Sequence, residues 1–315
     1  MRKSFLSSLA VLMASFFVLS CSKDDNSSLK EVEKRNEIIQ EETPKENQKN
    51  NASENNAGTE NNNEIQNKRL FVYKALVEDF TGTWCPVCPI ASRTIERTQS
   101  IDKYKERFVP VAIHLSTSGY NGNDKMQINQ SYPLFNYFRN VFSKGKEIGL
   151  PYLMLNRKTE LSHFDQGRVT IIENIHSKET SPIGIKIASD LKESNGTVTV
   201  TFKSSQEFDA LKYHVFITED NIIARQNDSG RYVDNFVHNH VLRCVYGDLE
   251  GNNLGSVNKD GEVTKENLQV NYSLLSAGKL SNVKVVVFVS DATTGEVLNV
   301  QEAKANETKD YQYVQ

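Results

Sequence analysis

Trp84-Cys85-Pro86-Val87-Cys88-Pro89 sets two thiols three positions apart, directly after a β-rich run and directly before a helical one. Upstream, Leu70-Phe71-Val72-Tyr73-Lys74-Ala75-Leu76-Val77-Glu78-Asp79-Phe80 reads as a buried strand. Downstream, Ile90-Ala91-Ser92-Arg93-Thr94-Ile95-Glu96-Arg97 reads as a helix. A strand that ends in Cys-x-x-Cys at a helix N-terminus is the layout of a dithiol/disulfide centre. The unpaired N–H groups and positive dipole end of the helix favour the thiolate of the first cysteine. The second cysteine, one turn further in, is placed to attack a mixed disulfide formed by the first.

Cys-x-x-Cys by itself is also half of a zinc site. Three neighbouring features favour redox chemistry. Asp79 lies six residues before Cys85 in an otherwise apolar strand, where a buried carboxylate can take a proton from Cys88. Phe108-Val109-Pro110-Val111-Ala112-Ile113-His114-Leu115 reads as a second buried strand after the helix. Ile148-Gly149-Leu150-Pro151-Tyr152-Leu153-Met154-Leu155 then puts a proline at the mouth of a third. Asp79-Phe80-x-x-x-Trp84-Cys85-x-x-Cys88 followed by Gly149-x-Pro151 resembles the thioredoxin superfamily. That resemblance implies a cis Leu150–Pro151 bond packed against the dithiol, with the backbone at Leu150 left free to pair with a substrate. No second Cys-x-x-Cys exists to complete a zinc site, so neither a metal nor another cofactor is expected.

The motif departs from thioredoxin in its Pro-Val dipeptide and in Pro89. Pro86 suits a first helical turn, where its missing N–H has no partner to lose. Pro89 sits near the limit of that tolerance. Val87 brings no charge toward Cys85, so acidification of the thiol rests on the helix terminus. An exposed Trp84 ring beside Cys85 offers substrate a flat apolar surface; a core tryptophan is the plainer alternative. With Pro86 and Leu150 it makes up the expected substrate groove.

Met1 to Ser20 carries Arg2 and Lys3, an apolar run to Leu19 and no acidic residue, which fits a secretory signal and is too short to span a membrane. Val18-Leu19-Ser20-Cys21 resembles a bacterial lipoprotein box, which implies that Cys21 becomes an acylated N-terminus and a membrane anchor. Ser22-Lys23-Asp24-Asp25 resembles the surface-export tag of Bacteroidota lipoproteins. Residues 21–67 are rich in Asn, Glu, Lys and Ser and read as a disordered tether. Its 46 or so residues give a reach on the order of 40 Å. Loss of Arg2 and Lys3 with the signal moves the formal net charge from −3 to −5. That balance argues against a nucleic-acid partner.

Two domains are expected in the remainder. Residues 68–180 follow the order of an α/β thioredoxin-like domain. They carry an insertion at 116–147 whose aromatics Tyr132, Phe135, Tyr137, Phe138 and Phe142 fall at helical spacing. Such a stripe is more often helix core than a ligand box. Residues 181–307 show repeated strand patterns, including the Asn195-Gly196 hairpin signal, and read as an all-β immunoglobulin-like sandwich of seven strands; 308–315 is a tail. One of those strands is expected at Val237–Tyr246, with His238, His240 and Cys244 on one face. Two imidazoles and a thiol can hold zinc or copper, but polar packing is the commoner use of His-x-His. His114, near the end of the second buried strand, reads as a core or edge histidine.

Four stretches together resemble the twenty-eight-kilodalton outer membrane protein family of Bacteroidota. They are the lipoprotein signal, Glu78-Asp79-Phe80-Thr81-Gly82-Thr83-Trp84-Cys85-Pro86, His238-Asn239-His240-Val241-Leu242-Arg243 and Glu296-Val297-Leu298-Asn299. The resemblance implies an outer-membrane, surface-facing address. The expected activity is thiol–disulfide exchange on protein thiols or with a redox partner protein, through a Cys85–Cys88 pair. Cys85 would attack, Cys88 resolve, Asp79 accept the proton and Pro151 shape the groove. The alternative is a non-catalytic surface binding or adhesion protein, for which so small a disulfide loop is a poor staple.

Overall fold

The computed structural model describes residues 70–117, 122–276 and 279–315. The signal at 1–20, Cys21, the tether to 67 and the loop residues 118–121 lie outside the described residues. In chain order the elements are β1 (Phe71–Val72), β2 (Ala75–Thr81), α1 (Cys88–Gln99), β3 (Phe108–His114), α2 (Ser131–Val141), β4 (Tyr152–Leu155), β5 (Thr159–Leu161) and α3 (Asp165–Ser177). Then follow β6 (Thr180–Ser181), β7 (Ile183–Leu191), β8 (Asn195–Ser204), β9 (Phe208–Glu219), β10 (Ile222–Asp228) and β11 (Arg231–His238). The last five are β12 (Val241–Val245), β13 (Asn252–Val257), β14 (Glu262–Asn271), β15 (Val283–Asp291) and β16 (Val297–Lys304).

The described residues are mostly β, with few helices and one mixed sheet at the centre. All seven residues of β2 are buried, because the strand is covered on both faces and pairs in parallel with β3 through Asp79↔Ala112 and Thr81↔His114. On its other edge β2 pairs antiparallel with β4, Phe80 opposite Tyr152. The sheet does not stop at the expected boundary near 180. Its order is β16-β15-β9-β12-β3-β2-β4-β5, with β13 also on β9. The junction between the halves is the parallel pairing of β12 with β3, at Val241↔Ala112. The described residues accordingly form one compact unit.

The second half contains more strands than the seven expected, and they do not close into a sandwich of their own. A three-stranded sheet, β14-β8-β7, packs over the β9 and β15 end of the large sheet. Between them lies a core that includes Ile185, Val200, Val215, Val285 and Cys244. On the opposite face α2 delivers Leu134 and Phe138 to a second core with Phe80, Phe216 and Phe288. Phe135, Tyr137 and Phe142 pack partly buried against the same core, as their spacing predicts, whereas Tyr132 is exposed.

Conserving one sheet across both halves needs specific stitches, and the C-terminal stretch 296–299 supplies several. Asn299 accepts from the Lys74 N–H (2.9 Å) and donates to the carbonyls of Val72 and Ile183 (3.3 and 2.8 Å). Glu296 pairs with Lys158 and Lys178. Beneath them, fully buried Glu78 accepts from Arg157 at 2.8 and 3.0 Å, and that guanidinium lies 4.9 Å from the Phe288 ring centre. Gly184 lets Phe71 close on β7, since a Cβ there would sit 2.3 Å from the Phe71 ring.

The expected strand at Val237–Tyr246 is broken. β11 ends at His238, and β12 begins only at Val241. His240 between them has φ +59°, a left-handed conformation outside the extended range of regular strand pairing. His238 and His240 consequently do not share a strand face with Cys244, which is turned into the sandwich core. Among the described residues no group of His, Cys, Asp and Glu is arranged to hold a metal ion.

Candidate functional site

β2 ends at Thr81, and the chain turns through Gly82-Thr83-Trp84 into the N-terminus of α1. Gly82 is required here, because a Cβ would lie 2.7 Å from Trp84 Nε1 and 2.9 Å from the Leu115 carbonyl. The space it leaves lets Trp84 donate to that carbonyl at 2.7 Å, so the half-buried indole is pinned to the end of β3. Thr83 N–H donates to Asp124 (2.8 Å), which also faces His114 Nδ1 at 2.8 Å. Burial opposes ionisation of Asp124, but His114 and the N–H groups of Thr83 and Met126 hold its carboxyl down at about 2.

Cys85 and Cys88 form a disulfide. Cys88 is the first helical residue and Val87 the N-cap, so Pro86 precedes the helix instead of occupying its first turn. Pro89 falls in that turn, where no intrahelical acceptor awaits an N–H, and α1 runs on from it to Gln99. The Cys88 N–H points at Cys85 Sγ (3.1 Å), the donor geometry that favours a thiolate on the outer sulfur. Pro86 and Val87 are exposed, whereas Cys85 is only 3% and Cys88 1% exposed.

Asp79 points to the α1 side of the sheet, away from Glu78. It is 2% exposed, its Oδ1 has no hydrogen-bond partner, and burial pushes its carboxyl up to about 7. With Ser92 and Ile95 of α1 it lines a cavity of about 30 Å³. Ser92 lies one turn beyond Cys88 on the same helix face. The Leu150–Pro151 bond is cis, and both residues are half-buried. Because Phe80 pairs with Tyr152, Pro151 sits beside Thr81 at the end of β2 that leads into the dithiol turn. Asp79, Cys85, Cys88, Trp84, Pro86 and Pro151 are thus gathered at one end of β2 and the start of α1.

The hairpin β10–β11, not anticipated from sequence, closes over this turn. Its tip backbone donates from Asn227 to the Thr83 carbonyl (2.7 Å) and from Ser229 to the Pro86 carbonyl (2.9 Å). Gln226 Nε2 donates to the carbonyls of Cys85 and Gly82 (3.1 and 3.3 Å), and Asn227 Nδ2 to that of Trp84 (3.2 Å). Arg93 of α1 grips Asp228 through both terminal nitrogens, at 3.0 and 3.1 Å. Every carbonyl from Gly82 to Pro86 is therefore capped by this strap. The signal for it was Asn227-Asp228-Ser229-Gly230 between Ile222-Ile223-Ala224 and Tyr232-Val233.

Residues 141–309 match the family described as Outer membrane protein Omp28. The chain belongs to the Omp28 family. Membership puts this Omp28 protein at the outer membrane, as the sequence resemblance implied; no helix among the described residues is long and apolar enough to cross a membrane. Among solved structures it is similar to HBP35 of Porphyromonas gingivalis, with a TM-score of 0.60 and 20% identity over 75% of this chain and 76% of that one. At that identity the likeness concerns fold alone. A domain of the outer membrane lipoprotein Omp28 from the same organism aligns with 40% of this chain and 89% of its own, at 22% identity and a TM-score of 0.28. No curated protein matches the chain.

Proposed function

We propose that this Omp28 protein is a thioredoxin-like thiol–disulfide exchange protein, anchored through acyl chains on Cys21 and acting on protein thiols and disulfides. The observation that carries the reading is the disulfide at the start of α1, with the Cys88 N–H directed at Cys85 Sγ. In the reducing direction the Cys85 thiolate attacks a substrate disulfide, joins one of its sulfurs and expels the other as a thiolate. Cys88 then gives its proton to Asp79 and attacks Cys85 Sγ. The second substrate thiolate leaves, and the Cys85–Cys88 bond closes. Two electrons pass from the dithiol to the substrate, and the reverse sequence oxidises a substrate dithiol. An Asp79 carboxyl near 7 suits a proton acceptor at neutral pH. Pro151 and Leu150, with Trp84 and Pro86, form the groove in this reading, and the strap must lift before substrate reaches Cys85.

The test is trapping. A Cys88→Ala variant incubated with a disulfide-containing peptide should accumulate a Cys85-linked mixed disulfide, and Cys85→Ala should accumulate none. Wild-type rates of disulfide reduction in Cys85→Ala would end the reading.

One observation favours a second reading, a non-catalytic surface binding or adhesion protein: Cys85 is only 3% exposed and the strap is bonded across its loop. In that case the disulfide is permanent, and Cys85 stays unreactive toward alkylating agents after reduction.

A further inference from the structure

The cavity between the large sheet, α1 and the strap is lined by residues that the exchange chemistry leaves unused. Besides Asp79 from β2, it receives His114 from β3, His238 from β11, and His240 from the turn that follows. Its volume of about 30 Å³ is large enough to admit a water molecule. Three buried polar atoms of its lining residues have no hydrogen-bond partner, Asp79 Oδ1, His238 Nε2 and His240 Nδ1. The other two histidines are each engaged at one ring nitrogen. His114 Nδ1 meets Asp124 at 2.8 Å, and its ring stands edge-on to His238 with centres 5.3 Å apart. His240 Nε2 contacts Gln99 Oε1 at 3.1 Å, and its Nδ1 faces Asp220 at 3.5 Å.

We infer that His238 is a positioning residue for Asp79: its Nε2 holds one internal water that hydrogen-bonds to Asp79 Oδ1 and carries the proton of the exchange step. The proton-carrying part of this inference rests on the thiol–disulfide reading above. The chemistry of the ring fixes its direction. Of the ring's two nitrogens only Nε2 is buried without a partner, and the Ala224 main chain lies on the ring's other side, so in this arrangement Nδ1 carries the hydrogen and Nε2 presents a lone pair to the cavity. Burial, with His114 beside it, pushes His238 down to about 3, so the ring stays neutral and can only accept there. A water that donates one hydrogen to Nε2 has its second free for the Asp79 carboxylate. When Asp79 is protonated, the same water takes the carboxyl hydrogen bond instead. The charged form of Asp79 gains more from this water than the neutral form does.

The charged and titratable groups around Asp79 are few. On α1 they are Cys88 and the exposed Glu96 at the rim, on β3 His114 with its Asp124, and on the strap side His238 and His240. Thr81, Ser92 and Gln226 complete the polar lining without charge. None of these supplies a cation hydrogen-bonded to Asp79, so a held water is the available stabiliser of its carboxylate.

The experiment follows the Asp79 carboxyl by ¹³C NMR against pH in the full disulfide-bonded protein, so it needs no turnover. His238→Leu should move the Asp79 midpoint upward by about one pH unit, the amount one charge-assisted hydrogen bond accounts for. His238→Gln, which keeps an acceptor at the Nε2 position, should stay within about 0.3 of wild type. An unmoved or lowered midpoint in His238→Leu overturns the inference. If His238→Leu does not fold, ¹⁵N shifts of wild-type His238 decide it: an Nδ1–H tautomer supports the arrangement and an Nε2–H tautomer overturns it. Failure of Cys88→Ala to trap a mixed disulfide, with the midpoint shift present, removes the exchange reading and leaves the His238–Asp79 coupling standing.

Discussion

Loosening the strap should uncover Cys85 without unfolding the protein, and the size of the effect follows from its bonds. Gln226→Ala with Asp228→Ala removes the amide bonds to the Cys85 and Gly82 carbonyls and the Arg93–Asp228 pair. Each neutral bond contributes about 1 kcal/mol. The ion pair is half in solvent, its side chains 43% and 26% exposed, so it adds about 0.5 kcal/mol. A loss of about 2–3 kcal/mol raises the open population roughly 30- to 150-fold. The assay is iodoacetamide labelling of the reduced protein under native conditions, read by mass spectrometry at Cys85. Cys244, 6% exposed in the sandwich core, serves as an internal control for global unfolding. Labelling of Cys85 should accelerate by that factor while Cys244 stays silent. A Cys85 rate within threefold of wild type, in a variant that keeps its Cys244 protected, would refute the idea that the strap is what covers the dithiol. So would a wild-type Cys85 that labels as fast as a small-molecule thiolate.

Two further outcomes test the buried acids. Asp79 sits at about 7 in the folded chain against an ordinary 3.8, so the folded state keeps a proton that the unfolded state releases. Stability from this group is therefore full below about pH 4, falls as pH rises to about 7 and is flat above, a change of at most about 4 kcal/mol. Asp79→Asn should raise the urea midpoint at pH 8 and leave it nearly unchanged at pH 4; equal gains at both pH values would show that burial of the charge is not the cause. Arg157→Met strands the Glu78 carboxylate in the core and should cost about 3–5 kcal/mol by urea unfolding, whereas replacing both partners with methionine should cost far less.

The dithiol end of the molecule was legible because its determinants are local. β2, α1 and β3 are each a contiguous pattern, and the spacing of Asp79 to Cys85 to Cys88 is a distance along one strand and one turn. Helix α3, with Ile171, Ile172 and Ile175 buried on one side, and the aromatic face of α2 follow from a helical spacing of apolar residues. The continuous sheet was not legible, because which strand edges meet is a property of the whole chain. The apolar residues of Val241–Val245 show a buried strand but not that Ala112 is its neighbour. The break at His240 was hidden for a related reason. A left-handed residue there is fixed by Asp220, which accepts the His240 N–H at 2.7 Å from twenty positions away. The strap itself was masked by Arg225, Gln226, Asp234 and Asn235, which interrupt the alternation a hairpin normally displays.

The way the strap is mounted limits how it can open. Its base is fixed on both sides: Asn221 N–H donates to Asn239 Oδ1 at 3.0 Å, Ile222 is buried against Val241, and Val241 is paired into the large sheet. Asn221 and His240, both with φ +59°, bracket the hairpin as conformationally set corners. The tip carries the main-chain bonds to the dithiol turn, at Asn227 and Ser229, so opening means peeling residues 226–230 from Thr83–Pro86 while the base stays in place. That geometry sets a condition on any partner. A polypeptide that displaces the tip has to offer two N–H donors at alternate positions to the Thr83 and Pro86 carbonyls, as an extended strand does. A small thiol offers none. Under the exchange reading, 2-mercaptoethanol, which carries no N–H, should therefore reduce the Cys85–Cys88 bond far more slowly than an unfolded protein thiol of equal reducing strength. Equal rates at matched potential would mean that the tip never had to move.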